Sequence, residues 1–287
     1  MINIEDIRIR LANNPEPIEV TEGRKLILDR FKDIEFVEET HQYFLPQSDG
    51  SKKELASVSA TIERFEQYVD WDEKCELKAA KLGIPKEELA KEWYQHNHLA
   101  TTSGSVHHEY GECFHYLLLG QPENITDRFK IQYEGGYLFP SCPKQEASMK
   151  FNEDLFSVGS MYSVLAEARV YSEELGYSGT FDKLVYFKHP TDDTKSGYIV
   201  FDYKTNTSLS SSYNRNNGIC MLPPFDDMID EALSHYTAQL SAYQIPLEDI
   251  GLKVIGRRII WLKDDGTYEK ISLPDVTGRL REALKQK

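Results

Sequence analysis

Asp182, Asp202 and Lys204 carry the first chemical signal in this 287-residue chain. They fall in GTFDKLVYFKHPTDDTKSGYIVFDYKTN, where two runs rich in β-branched and aromatic residues flank the turn-prone KHPTDDTKS, the composition of two neighbouring strands. Side chains two apart on a strand share a face, so Asp202 and Lys204 project together. Hairpin pairing would bring Asp182 beside them. A carboxylate inside the apolar run YIVFD costs on the order of several kcal/mol of solvation unless it is paired or coordinated. Magnesium removes that cost, because it takes hard oxygen ligands, commonly one or two carboxylates with water and phosphate completing the shell. A metal held there lowers the pKa of a water and stabilises charge on phosphate, while a neighbouring lysine orients the water or stabilises the transition state. The same residues also suit a structural Asp–Lys ion pair at a strand end, and this segment alone does not separate the two readings.

Two further segments have chemically useful spacing. In GSVHHEYGE, residues 104–112, a helix starting near Ser105 places His108 and Glu112 one turn apart on one face, with His107 about 100° away. The position four after His108 is Glu112 rather than a second histidine, which excludes a zinc-protease helix. In HYTAQLSAYQ, Gln239 and Tyr243 are one helical turn apart, and both donate and accept hydrogen bonds. Read singly, the first is an ordinary polar helix and the second an ordinary amphipathic one with aromatic core residues Tyr236 and Tyr243.

The elements that must position these residues follow from pattern. A helix-like stretch runs over Thr21 to Phe31. EFVEETHQYFLPQSDGSKKELASVSATIERF reads as a hairpin with its tip at Ser48, Asp49 and Gly50, leading into a helix. Thr61 to Leu119 is largely helical, with breaks expected near Gly83 to Pro85 and at the Thr101 to Ser105 polar cluster. Beyond Gly120, an irregular segment with Pro122, Gly135, Gly136, Pro140 and Pro143 reads as loops over the sheet. LAEARVYS, GTFDKLVYF and GYIVFDYK then read as three consecutive strands. SLSSSYNRNNG reads as a mobile surface loop, residues 225–244 as a helix, and GRRIIWLKDDGTYEKISL as a hairpin around Asp264, Asp265 and Gly266. A short charged helix over Arg279 to Lys287 follows. Helices, then a strand meander, helix and hairpin, predict a mixed α/β sheet with helices folded against it. Residues 1–119 form a hairpin and helical region carrying the histidine motif, and 120–287 the core, the two making one compact unit.

Composition sets the bounds. With 40% hydrophobic and 28% charged residues, the chain matches a soluble globular protein with a sizeable core. No apolar run long enough to span a membrane occurs, and MINIEDIRIRLANN lacks the apolar stretch of a secretory signal, so a cytoplasmic location is expected. Cys75, Cys113, Cys142 and Cys220 are scattered with no CxxC pair, as for reduced thiols. The formal charge of −14 is the wrong sign for binding nucleic acid by bulk electrostatics. A nucleic-acid enzyme of this composition needs a local basic strip and divalent metal beneath an acidic exterior.

Taken in order, His108, Glu167, Asp182, Asp202-Tyr203-Lys204 and Gln239 through Tyr243 resemble the RecB-type branch of the PD-(D/E)XK nucleases, in particular its phage-type and mitochondrial-type exonucleases. The resemblance extends over about Glu35 to Leu273. It implies a restriction-endonuclease-like mixed sheet flanked by helices, with an N-terminal helical region forming part of a DNA channel. It also implies Mg2+- or Mn2+-dependent hydrolysis of DNA phosphodiester bonds from an end, with single-stranded character in the substrate. On that likeness Asp182 and Asp202 bind metal, with His108 and the Tyr203 carbonyl as further ligands, although adjacent His107 leaves a one-residue ambiguity. Lys204 is the catalytic lysine, Glu167 supports or binds the metal, and Gln239 and Tyr243 position DNA or the catalytic motif. Lys204, Arg215, Arg257, Arg258 and Lys263 are candidates for phosphate contacts in a basic bore, and Arg257 and Arg258 equally suit solvated strand-edge charges. Iron-sulfur members carry three cysteines after the Gln-x-x-x-Tyr helix, whereas the last cysteine here is Cys220, so no cluster is expected. A recombination or annealing protein is the expected kind of protein partner. An endonuclease or nickase of the same chemistry, or a partner-dependent or inactive DNA-binding subunit, are the alternatives.

Overall fold

The computed structural model describes residues 3–38 and 40–285. Helices α1 (Ile4–Asn13) and α2 (Ile18–Phe31) precede a meander of β1 (Glu35–Val37), β2 (Gln42–Pro46) and β3 (Lys52–Ser57). The β2–β3 turn forms where its residues predict: Asp49 accepts the Ser51 N–H at 2.9 Å, and Gly50 adopts φ 84°, a conformation that costs glycine little. Helices α3 (Val58–Glu63), α4 (Trp71–Leu82) and α5 (Lys86–Leu118) follow, then α6 (Asp127–Lys130), a small hairpin of β4 (Tyr133–Glu134) and β5 (Tyr137–Leu138), and α7 (Pro143–Ser157). The three expected strands are β6 (Met161–Ser172), β7 (Tyr177–Phe187) and β8 (Gly197–Lys204). Short α8 (Ser212–Asn217) and long α9 (Ala232–Asp249) lead into the closing hairpin of β9 (Val254–Leu262) and β10 (Tyr268–Ser272), and α10 (Thr277–Lys285) comes last.

The architecture is the expected mixed α/β sheet flanked by helices, with a helical N-terminal region. Eight strands run in the order β1-β2-β3-β7-β8-β9-β10, with β6 also paired to β7. The pairs β3–β7 and β8–β9 are parallel, and the remaining pairs antiparallel. Strand β7 is therefore shared by three neighbours. Its pairing with β6 runs the length of one edge, from Tyr177↔Ser172 to Phe187↔Met161. On the other edge, β3 takes Tyr177 and Ser178, and β8 takes Lys183 through Phe187. Between them, residues 179–182 have no ladder partner on that edge among the described residues.

Apolar residues fill both faces of this sheet, which is why helices must cover both. Val200, Ile259, Leu240 and Tyr243 share one core cluster under α9, while Phe201, Tyr203 and Ile260 meet Ala147, Phe151 and Leu155 of α7 on the other face. No helix among the described residues is long and apolar enough to cross a membrane.

Four segments depart from the sequence expectation. The break at Gly83 to Pro85 is present, with Gly83 at φ 70° ending α4, but α5 continues through Thr101 to Ser105 rather than starting there. Those hydroxyls fold back onto their own helix: Thr101 Oγ1 donates to the Asn97 carbonyl at 3.0 Å and Ser105 Oγ to the Thr101 carbonyl at 3.2 Å, so they do not compete with it. Helix α7 lies within a stretch that reads as loop, because Gln145, Ser148 and Asn152 interrupt its apolar stripe although all three are buried. The segment read as a mobile loop contains α8, capped by Ser211 and ended by Gly218. Helix α9 begins at Ala232 rather than residue 225, because the preceding chain is held by the Cys220↔Ile229 bridge.

Candidate metal centre

The partnerless stretch of β7 is where the sequence-predicted residues meet. Asp182 ends it, just before the first β7–β8 pair, Lys183↔Phe201. With no ladder partner for the adjoining backbone, the Asp182 carboxylate takes that place: its Oδ2 accepts the Tyr203 N–H at 2.6 Å. Asp202 and Lys204 share a face of β8, as the strand period requires, and Lys204 Nζ lies 2.5 Å from Asp202 Oδ2.

Long α5 supplies the histidine. His108 Nδ1 sits 3.1 Å from Asp182 Oδ2, whereas buried His107 turns away, its Nε2 3.2 Å from Ser103 Oγ and its Nδ1 4.0 Å from Cys142 Sγ. Geometry thus separates the two neighbours, and His108 is the one in the cluster. The approach of α5 to the sheet depends on Gly111: a Cβ there would lie 2.6 Å from Tyr203 Cε2.

Glu167 arrives from β6 by an unusual route. It stands between the pairs Ala166↔Lys183 and Ala168↔Phe181, opposite Asp182, and its φ is 47°, a left-handed conformation that a strand residue with a side chain rarely adopts. Its Oε1 is buried with no hydrogen-bond partner. One ligand atom each from His108, Glu167 and Asp182 lies within 4.8 Å of the others.

Electrostatics register the crowding. Burial, reinforced by Asp182, Glu112 and Asp202, pushes Glu167 well above the ordinary carboxylate range. Burial and then Asp182 push Asp202 up to about 6, against the pull of Lys204. Burial also acts to raise Asp182, but His108, Lys204 and the Tyr203 amide outweigh it and hold its pKa low. Burial lowers the His108 pKa, and the Asp182 charge more than restores it. Several carboxylates share a space that one lysine and one histidine do not neutralise, a donor set that fits a divalent cation.

Gln239 and Tyr243 of α9 close the other side. Gln239 Oε1 accepts from Lys204 Nζ at 3.3 Å, and its Nε2 donates to Tyr243 Oη at 3.0 Å. The Tyr236 ring centroid lies 4.2 Å from the same ammonium. Tyr243 fits because Gly179 has no side chain; a Cβ there would be 2.7 Å from its ring. Gln239 and Tyr243 thus support the lysine and the walls of the site.

The arginines expected to contact phosphate lie elsewhere. Arg257 is buried, and its guanidinium donates to Gln244 Oε1 and, at 3.1 Å, to Asp275 Oδ2. It ties α9 to the chain after β10 and has no room for phosphate. Arg258 projects to the opposite face of the sheet, 6.0 Å from the Phe201 ring. Arg215 pairs with Glu231, and Lys263 with Glu269 at 2.9 Å. In their place the structure brings residues that the motifs do not mark: Phe36, His41, Tyr43 and Arg169 line the same cavity of about 510 Å³ as His108, Glu167, Asp182, Asp202 and Lys204. The one sequence signal for Arg169 is its place two residues after Glu167 in LAEAR. A scan of protein-family models finds none that matches this chain, and a search of curated proteins finds no matching sequence.

Proposed function

We propose that this chain is a metal-dependent deoxyribonuclease of the PD-(D/E)XK kind, a RecB-type exonuclease that hydrolyses phosphodiester bonds from DNA ends in recombination, repair or replication. The observation that carries the reading is the convergence of His108, Glu167 and Asp182 from three separate elements to within 4.8 Å, beside the Asp202–Lys204 pair at 2.5 Å. A buried, unpartnered Glu167 oxygen in that cluster is hard to account for without a cation. End dependence rests on the sequence resemblance.

In this reading His108, Asp182 and Asp202 hold Mg2+ or Mn2+, with Glu167 and the Tyr203 carbonyl completing or supporting the protein's share. The imidazole nitrogen suits Mn2+ better than Mg2+, which prefers oxygen throughout. Bound metal supplies Lewis acidity and a more acidic water. The residues do the rest. Lys204, held by Asp202, Gln239 and Tyr236, presents its ammonium to the scissile phosphate and stabilises the charge that develops there. The Tyr203 N–H fixes the Asp182 carboxylate, and Tyr243 fixes Gln239, so the donor set is preorganised.

The test incubates the protein with linear single- and double-stranded DNA labelled separately at each end, and with closed circles, under Mg2+, Mn2+ or chelator. Metal-dependent loss of linear DNA is expected, abolished in Asp202→Asn with DNA binding largely retained and reduced less in Gln239→Ala. Normal cleavage by Asp202→Asn would refute the assignment. Cleavage of closed circles would identify an endonuclease or nickase, and activity appearing only with a recombination or annealing protein would identify a partner-dependent subunit.

A further inference from the structure

Beyond the metal ligands, the cavity has a second chemical character. Its carboxylates are Glu38, Glu112, Glu167, Asp182 and Asp202, and its basic side chains besides histidine are Lys204 and Arg169. Lys204 is engaged by Asp202 and Gln239. Arg169 is exposed, and no carboxylate or hydrogen-bond partner for it occurs among the described residues. Its guanidinium carbon rests 5.4 Å from the centroid of Phe36.

Phe36 belongs to an aromatic group at the cavity mouth. Its centroid is 4.7 Å from that of Tyr43 and 5.0 Å from that of His41. Tyr43 is buried, Phe36 half-buried and His41 exposed, so the group is anchored at one end and open at the other. His41 adopts φ 55°, and it and Glu167 are the non-glycine residues with positive φ among the described residues. Both line this cavity. Such conformations persist only where surrounding structure holds them, and they cluster at functional sites.

The group has a fixed place relative to the metal ligands. Arg169 pairs with Thr180 across β6 and β7, and Thr180 is two residues before Asp182, about 7 Å along the strand. A free guanidinium packed on an aromatic face, next to an exposed imidazole, matches what single-stranded nucleic acid requires: a cation for a phosphate and a π-surface for a base. In a duplex the base faces are already covered by their neighbours, so an aromatic shelf favours an unpaired nucleotide.

We infer that Arg169, Phe36 and His41 form a strand-binding shelf that seats an unpaired nucleotide beside the metal cluster, with Arg169 on its phosphate and Phe36 and His41 against its base. This rests on the nuclease reading of the same cavity. Arg169 is a binding residue here, and the shelf selects single-stranded nucleic acid over duplex.

The experiment compares wild type with Arg169→Ala, Arg169→Gln, Arg169→Lys and Phe36→Leu in the full chain. Steady-state cleavage of an oligothymidylate and of a blunt duplex is measured with Mn2+, and binding of fluorescent oligothymidylate is followed against salt on the Asp202→Asn background. Arg169→Ala and Arg169→Gln should raise KM for oligothymidylate about 10-fold with kcat little changed, and lower the salt slope of binding by about 0.7, one phosphate contact on a single strand. Arg169→Lys should recover part of the loss, and Phe36→Leu should raise KM for the oligothymidylate but not for duplex. Unchanged KM and salt slope in variants of a wild type that cuts DNA would overturn the shelf and leave the nuclease standing. Equal losses on both substrates would overturn the selection for single strands. A wild type that neither cuts nor binds DNA would overturn both readings.

Discussion

Replacing Gly111 with alanine should push α5 off the sheet and draw His108 away from Asp182. The added Cβ would lie 2.6 Å from Tyr203 Cε2 and 2.9 Å from Cζ, where ordinary contact begins at 3.4 Å, so helix or ring must yield by close to 1 Å. The ring has nowhere to go. Tyr203 is 2% exposed, its hydroxyl accepts from Asn152 Nδ2 at 3.1 Å, and Phe151 packs against it edge-on at 5.8 Å. Overpacking of this kind costs about 1–3 kcal/mol, and glycine-to-alanine in a helix returns about 1 kcal/mol, so net destabilisation is small, about 0–2 kcal/mol. The site pays more: His108 is less than one turn away, and a shift of about 1 Å from productive geometry can cost on the order of 100-fold in rate. Gly111→Ala should therefore remain folded in urea titrations while losing about 100-fold in Mn2+-dependent cleavage and binding metal more weakly in calorimetry. Wild-type metal affinity with cleavage within twofold would show that the close approach of α5 does not set the His108 position.

Two predictions concern buried cations outside the metal cluster. Burial pushes the Lys183 ammonium from its ordinary 10.5 down to about 7, below its unfolded value, so between those values the unfolded chain binds the extra proton and stability rises with pH from about 7 towards 10.5, by at most about 5 kcal/mol; urea titrations in chelator should show this rise in wild type and not in Lys183→Met, and equal slopes would contradict it. Arg257→Gln should lower stability by about 1–3 kcal/mol, by removing the buried donor to Gln244 Oε1 and the charge partner of Asp275, while leaving DNA affinity and its salt dependence unchanged; weaker binding by an equally stable variant would return Arg257 to the phosphate contacts.

What was legible in the sequence was what local pattern can carry. Asp202 and Lys204 announce their common face by spacing, and the three strands announce themselves by β-branched and aromatic residues. The Asp49–Gly50 turn is equally local. Helix α7 was not legible because the buried polar residues Gln145, Ser148 and Asn152 interrupt the apolar stripe formed by Ala147, Phe151 and Leu155. Asn152 takes its place in the core by bonding Tyr203 and Lys183, a pairing that no periodicity reports. Arg257 misled for the converse reason: a charged residue in a strand reads as exposed, and only the positions of Gln244 and Asp275 reveal that it is paired inside. His107 and His108 are equivalent as letters, and only the rotation of α5 about its axis separates them.

The location of the candidate site follows from competition for one strand edge. Strands β3 and β8 both pair with the same edge of β7, one near its start and the other near its end, and neither covers residues 179–182. An unpaired backbone stretch inside a sheet must be satisfied or opened to solvent, and this one opens into the cavity that Gly179, Thr180 and Asp182 line. Helix α3 starts directly after β3, so Val58 and Ser59 form one wall, while β8 brings Asp202 and Lys204 to the other. Carboxylates gathered in such a gap repel one another, and burial first, then this repulsion, raises the pKa values of Glu167 and Asp202. A cation relieves it. Under the proposed function, that requirement would make an acidic chain of net charge −14 compatible with a phosphate substrate: a metal held by these residues would supply positive charge at the scissile bond, and Arg169, without a carboxylate partner among the described residues, would take the neighbouring phosphate.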